Sequence, residues 1–169
     1  METDSGSSII WETILGELDG TFSVVPPEIS AIRLLAAVLF GGIVGFEREA
    51  QGKPAGLRTH MLVSMAAALF IVVSQQLSAL PFGTSEAVQI DPLRLIEAVT
   101  AGVAFLAAGI IFSSGGKVHN ITTGASLWLA GAVGLACGSG QVPLAALATG
   151  IVVIVLFALR HLDRWIAPK

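Results

Sequence analysis

An all-α membrane protein, a bundle of about five transmembrane helices with the N-terminus outside and the C-terminus in the cytoplasm, is the fold class the sequence predicts. Three observations predict it. First, the chain has 169 residues, 54% of them apolar and only 12% charged, with a mean hydropathy of +0.82. A soluble domain carries roughly 25% charged residues, so a chain this poor in charge cannot cover a water-facing surface. Second, the apolar residues come in runs as long as a bilayer crossing. Third, Lys and Arg cluster on alternate connections between those runs.

The first segment, residues 1–28, is acidic: Glu2, Asp4, Glu12, Glu17, Asp19 and Glu28 are present and Lys and Arg are not. Ile10, Trp11, Ile14, Leu15 and Leu18 recur at helical spacing. The pattern reads as a short amphipathic helix on the membrane surface or as a disordered tail with a few apolar residues. With no basic residues ahead of an apolar core, no cleavable signal peptide is expected. Gly20 to Pro27 marks the break before the membrane domain, residues 29–160. A short cytoplasmic tail, residues 161–169, follows it.

Five spans are expected, at Ile29–Phe46, Leu57–Leu77, Pro92–Phe112, Thr122–Ala136 and Gln141–Leu159. A straight crossing takes roughly 20 residues, so the fourth is short unless Asn120 or Ile121 begins it and Gly138 ends it. The charged stretch Glu47, Arg48, Glu49, Lys53 and Arg58 reads as a loop between the first two spans. That loop holds Arg48, Lys53 and Arg58, the third loop Lys117, and the tail Arg160, Arg164 and Lys169. The intervening connections carry none, which sets the orientation. Arg33 and Arg94 lie just inside spans at the outer side, where both can snorkel outward.

Small residues recur four apart: Gly41 and Gly45 on the first span, Gly134 and Gly138 on the fourth, Ala98 with Gly102 and Ala104 with Ala108 on the third. That spacing lets helices approach closely.

Few residues can carry chemistry. Asp91-Pro92 has the form of a helix start, with Asp91 as cap or, alternatively, as a functional acid at the outer surface. Glu97 lies in the third span three residues after Arg94, with Arg33 at the same outer level. An ionisable group in a span marks a functional site unless it is an interfacial Arg–Glu pair fixing helix register. Arg58 falls near the start of the second helix, where a cation opposes the helix dipole. Glu47 or Glu49 facing it, or an anion held by its guanidinium, offsets that. A plain orienting charge is the other reading. Thr122, Thr123 and Ser126 open the fourth span and can cap it or bond across the bundle. Gln75 and Gln76 are expected among headgroups, and His60 in a solvated or interfacial place. No catalytic constellation or phosphate-binding loop is present, so no enzyme is expected, and no cofactor. The net charge of −3, without a basic run, gives nucleic acid no foothold, and the lone Cys137 cannot form an internal disulfide.

Gly45-Phe46-Glu47-Arg48 followed by Lys53-Pro54-Ala55-Gly56-Leu57-Arg58-Thr59 resembles the N-terminal membrane domain of the MgtC/SapB family. Ala101 to Gly109 resembles that family's GFLGAG segment, Thr122 to Trp128 its TTAASLW segment, and Asp91-Pro92-Leu93-Arg94 its DPxR. The match runs from about Arg33 to Leu159 in the family's order. Ala104 and Ala107 depart from it, standing where the family usually has glycine. Long family members continue into a cytoplasmic ACT-like domain, and the resemblance places this chain nearer the short members.

The resemblance implies a multi-pass inner-membrane protein of bacteria, linked to growth in low magnesium and, in pathogens, to virulence through survival inside macrophages. It implies action on other membrane proteins, the ATP synthase among them, and leaves a homo-oligomer open. From the residues and the resemblance together, Glu47, Arg48, Arg58 and Thr59 form a candidate functional loop, and Arg33, Asp91, Arg94, Glu97, Thr122 and Thr123 a candidate polar membrane site. No metal ligands can be assigned. A membrane regulator is one functional expectation. A small transporter or channel for divalent cations such as Mg2+ is the other, and it requires several oxygen ligands that the spans scarcely offer.

Overall fold

The computed structural model describes residues 4–20, 22–78 and 91–166, with side chains over residues 8–17, 22–78 and 91–158. Six helices follow in order: α1 (Asp4–Gly20), α2 (Pro27–Ala50), α3 (Leu57–Leu77), α4 (Pro92–Ile110), α5 (Ile121–Gly138) and α6 (Val142–Ile166). Helices α2 to α5 are each long and apolar enough to cross a membrane. The fifth expected span is α6, apolar over Val142–Ala158 and helical on to Ile166. The predicted helical bundle is therefore present. Leu18, the second loop, and the cations Arg160, Arg164 and Lys169 lie outside the described side chains.

Local chemistry sets the helix ends. Pro27 opens α2 with its φ already fixed for a helix, and Glu28 favours the positive end of the dipole. Helix α2 does not stop at Phe46 as expected. It runs to Ala50, so Glu47, Arg48 and Glu49 form its last turn and only Gln51–Gly56 is loop. Gly52, at φ +64°, reverses the chain. Asp91 caps α4 as expected, its carboxylate accepting the Leu93 amide at 2.9 Å. Helix α5 spans Ile121 to Gly138, the long form of the expected fourth crossing.

Between α4 and α5 lies an unexpected β-hairpin, β1 (Phe112–Ser114) against β2 (Lys117–His119). Gly115 and Gly116 make its turn at φ +60° and +74°, a backbone that side-chain-bearing residues avoid. Phe112 and His119 stack across it at 5.1 Å. Asn120, also left-handed, donates its amide to the Ile110 carbonyl and closes the hairpin onto the end of α4.

Helix α5 is the centre of the bundle and touches α2, α3, α4 and α6. The glycines of α2 and α5 make this possible. A Cβ on Gly41 would stand 2.6 Å from the His60 carbonyl oxygen, and one on Gly45 2.8 Å from Leu57 Cα. Gly134 and Gly138 seat α5 against the backbone of α3 in the same way. The third span differs from expectation. A Cβ on Gly102 or Gly109 would meet nothing within 4 Å, and Ala98, Ala104 and Ala108 are exposed. Helix α4 instead holds to the bundle by Val99, Val103 and Ala107, with Val103 fitted over Gly131. Outside the bundle, α1 is helical as its spacing implied, and Ile10, Trp11, Ile14 and Leu15 are exposed on it.

Candidate functional site

The polar groups of the bundle fall at two levels. At the level where α2 turns into α3, a buried column runs along the seam of α2, α3 and α5. Ala37, Gly41, Val44 and Arg48 recur at helical spacing and are all buried, which carries Arg48 inward on the packing stripe of α2. On α3 the stripe is His60, Ser64, Ala67 and Ile71; on α5 it is Thr123, Ser126, Ala130 and Val133. Five of these positions are polar and buried: Arg48, His60, Ser64, Thr123 and Ser126.

Arg48 is only 3% exposed. Its Nε donates to Glu47 Oε2 at 2.6 Å, and Nη2 lies 2.5 Å from the same oxygen. The Gln51 side-chain amide donates to the other Glu47 oxygen. Glu49 accepts the Leu57 amide at 2.7 Å, capping α3 in place of a side chain from the cap residue itself. Both carboxylates expected to balance Arg58 are thus engaged elsewhere. Arg58 is the second residue of α3, exposed, and without an ion pair among the described residues. Thr59 beside it is half-buried.

His60 is fully buried rather than solvated. Its Nδ1 lies 2.8 Å from the Gly56 carbonyl, which can only accept, so Nδ1 carries the proton. In the neutral ring Nε2 then accepts from the Ser126 hydroxyl at 3.0 Å, a bond across the bundle from α3 to α5. The same hydroxyl lies 2.9 Å from the Thr123 carbonyl, and its single proton serves one acceptor at a time. The hydroxyls of Ser64 and Thr123 are buried with no hydrogen-bond partner among the described residues. Thr122 points out of the bundle and is exposed.

The opposite level is built around Arg33. Its Nη1 donates to Gln75 Oε1 at 2.9 Å and to the Gly138 carbonyl at 3.0 Å, so one guanidinium ties α2 to α3 and closes the C-terminus of α5. Gln76 bonds the backbone of Val24 and Val25. These glutamines therefore fasten the helices and the segment before α2. Arg33 does not meet Arg94 or Glu97. Arg94 is exposed and reaches Asp91 at 3.9 Å, in place of the anticipated Arg94–Glu97 pair. Glu97 is exposed on α4 without an ion pair among the described residues.

Structure thus brings together Glu47 and Arg48, and places Thr123 in the same column. It separates Arg58, Arg33 and the Asp91–Arg94–Glu97 group into different surroundings. Ser126 bonds across the bundle, one of the two roles its sequence position offered, but sequence reading misplaced His60. The signal was available: His60, Ser64, Ala67 and Ile71 share one helical face with small neighbours, and a histidine on such a face is buried with partners.

The MgtC family matches residues 34–165 of the chain. The protein MgtC of Brucella abortus (strain 2308) is 41% identical over 133 residues, 79% of this chain. YhiD of Escherichia coli (strain K12), named as a candidate magnesium transporter, is 38% identical over 125 residues, 74% of this chain. An uncharacterised Synechocystis protein, slr0014, is 36% identical over 137 residues, 81% of this chain. The chain spans about half the length of these curated relatives, 52%, 58% and 55% respectively. No solved structure matches.

Proposed function

The chain belongs to the MgtC family and is a multi-pass membrane protein, and on that premise we propose that it is a non-enzymatic regulator of other membrane proteins. Its place in this proposal is the bacterial inner membrane, and its setting is magnesium limitation. The buried Arg48 is the observation that carries the reading. A cation path through the bundle needs oxygen ligands, usually carboxylates, aimed inward. Here the interior column holds a guanidinium, an imidazole and hydroxyls. Its one carboxylate, Glu47, is taken by Arg48 and Gln51. The Glu47–Arg48 pair therefore leaves the column no free carboxylate to offer a divalent cation.

The end carrying the α2–α3 turn and the β-hairpin presents Lys53, Arg58 and Lys117 to solvent. That clustering supports the proposed orientation, with this end in the cytoplasm. It also supplies a basic surface for the partner, for which the family resemblance offers the ATP synthase.

The name of the E. coli relative favours the second reading, divalent-cation transport. Flux separates the two. Purified protein in liposomes loaded with a Mg2+-sensitive dye is expected to pass Mg2+ no faster than empty liposomes. Saturable Mg2+ entry that depends on the protein defeats the regulatory proposal.

Arg58 gives a second test. Its fork is exposed and unclaimed by Glu47 or Glu49, so it is free to hold a carboxylate or phosphate of a partner in two places. Arg58→Lys keeps the charge and loses the fork. At matched expression it is expected to insert normally yet fail to restore low-magnesium growth to a strain lacking the protein, whereas Lys53→Ala restores it. Full complementation by Arg58→Lys reduces the arginine to an orienting charge.

A further inference from the structure

Among the described residues, nothing covers the outward face of α4. Val99, Val103 and Ala107 turn one side of the helix into the bundle. On the other side Arg94, Ala98, Ala101, Phe105 and Ala108 follow one another at alternating steps of four and three residues, and every one is exposed. Alternating steps of four and three produce the seam of a left-handed helix pair. Three of the five positions are alanine, which lets a second backbone come close, and Phe105 stands 80% exposed.

Charge distinguishes this face from a lipid-facing one. Glu97 borders the seam within a membrane-length helix, exposed and without an ion pair among the described residues. Arg94 lies three residues earlier with its side chain 86% exposed, and its ion pair with Asp91 is long, at 3.9 Å. Charges of opposite sign one turn apart on a face complement themselves. Beside a second copy running the same way, Arg94 sits about 4.5 Å along the axis from the second copy's Glu97, an offset two long side chains span. Arg94 can also reach headgroups, but lipid hydrocarbon offers Glu97, further into the helix, no partner.

We infer that the chain self-associates through this face of α4, as a two-fold dimer in which Arg94 of each copy pairs with Glu97 of the other. Phe105 is the knob of the seam, and Ala101, Ala104 and Ala108 of the second copy form the hole that receives it. The dimer goes beyond the regulatory reading and does not rest on it. Neither the Arg48 column nor Arg58 takes part.

Cysteine cross-linking of the full chain in membranes tests it. Buried Cys137 is first replaced by alanine, and single cysteines are placed along α4. Oxidation is expected to give covalent dimers at Ala101→Cys and Ala108→Cys, on the side of α4 away from α3. Gly102→Cys and Leu106→Cys, which line the apolar cleft of about 470 Å³ between α3 and α4, are expected to give few. Arg94→Glu and Glu97→Arg are each expected to weaken dimerisation about tenfold, and the double reversal to restore it. Both sites are exposed, so folding is spared, and normal insertion of each variant is verified by protease protection. Absence of dimers along the seam, cross-linking that peaks on the cleft side, or a double reversal no better than the single changes would each overturn the inference. Such results would return the face to lipid or to a different protein.

Discussion

Replacing Arg48 with alanine is expected to remove about 3–5 kcal/mol of stability, the largest loss at any polar residue of the bundle. The side chains of Arg48 and Glu47 are 4% and 11% exposed, so the pair is shut away from water. Truncating the arginine leaves a carboxylate with only the Gln51 amide to meet it. Glu47→Gln is expected to be nearly as harmful, because it strands the guanidinium instead. The double change Glu47→Gln with Arg48→Met removes both charges and keeps the volume. It should recover much of the loss, since a buried pair is costly to break and much cheaper to replace. Thermal unfolding of purified protein, with the three variants and the unchanged protein compared in one detergent, supplies the measurement. A loss of under about 1 kcal/mol for Arg48→Ala would mean that water reaches the pair.

Arg48 also shows where sequence reading stops. Composition and run length identify the bundle because lipid leaves few alternatives: backbone groups must be satisfied within each helix. Spans and caps such as Asp91-Pro92 are local, so they are legible. The glycine pairs of α2 and α5 were legible too, although the same four-residue spacing on α4 brings no helix of the bundle close, because spacing names a face and not its neighbour. By contrast, Glu47-Arg48-Glu49 resembles a loop on charge alone. Only the phase of the stripe from Ala37 to Arg48 reveals a helix that continues and turns its arginine inward. The Gly115-Gly116 turn was a readable hairpin signal that the surrounding apolar runs overshadowed.

Contacts between distant spans were beyond any local pattern. The His60–Ser126 bond joins residues 66 apart, and Arg33–Gly138 residues 105 apart. One helical level brings Arg33, Arg94 and Glu97 to the same depth but says nothing about azimuth. Azimuth decides the matter: Arg33 faces α3 and α5, while Arg94 and Glu97 face away from the bundle. The candidate polar membrane site thus divides into an interhelical fastener and an outward charged face.

Gly134→Ala is the smallest change expected to disrupt the fold. In an open helix, alanine in place of glycine is worth about 1 kcal/mol in favour of alanine. Here the added methyl would run into the Ser64 carbonyl oxygen, far inside van der Waals contact, and stand 2.9 Å from Ala67 Cβ. The first of these is backbone of α3, which cannot rotate aside as a side chain does. Relief requires α5 to move off α3, and that movement also draws Ser126 from His60 and loosens Gly138 on Ala68. Overpacking of this kind costs about 1–3 kcal/mol, and the backbone clash places Gly134→Ala at the upper end. Gly102→Ala is the matched control, since its methyl meets nothing within 4 Å. It is expected to leave thermal stability in detergent unchanged or slightly raised. Gly45→Leu is expected to behave like Gly134→Ala, because its first carbon already falls 2.8 Å from Leu57 Cα. Equal melting temperatures for Gly134→Ala and Gly102→Ala would mean that α5 does not seat against α3 through this glycine, and the buried column at their seam would lose its support.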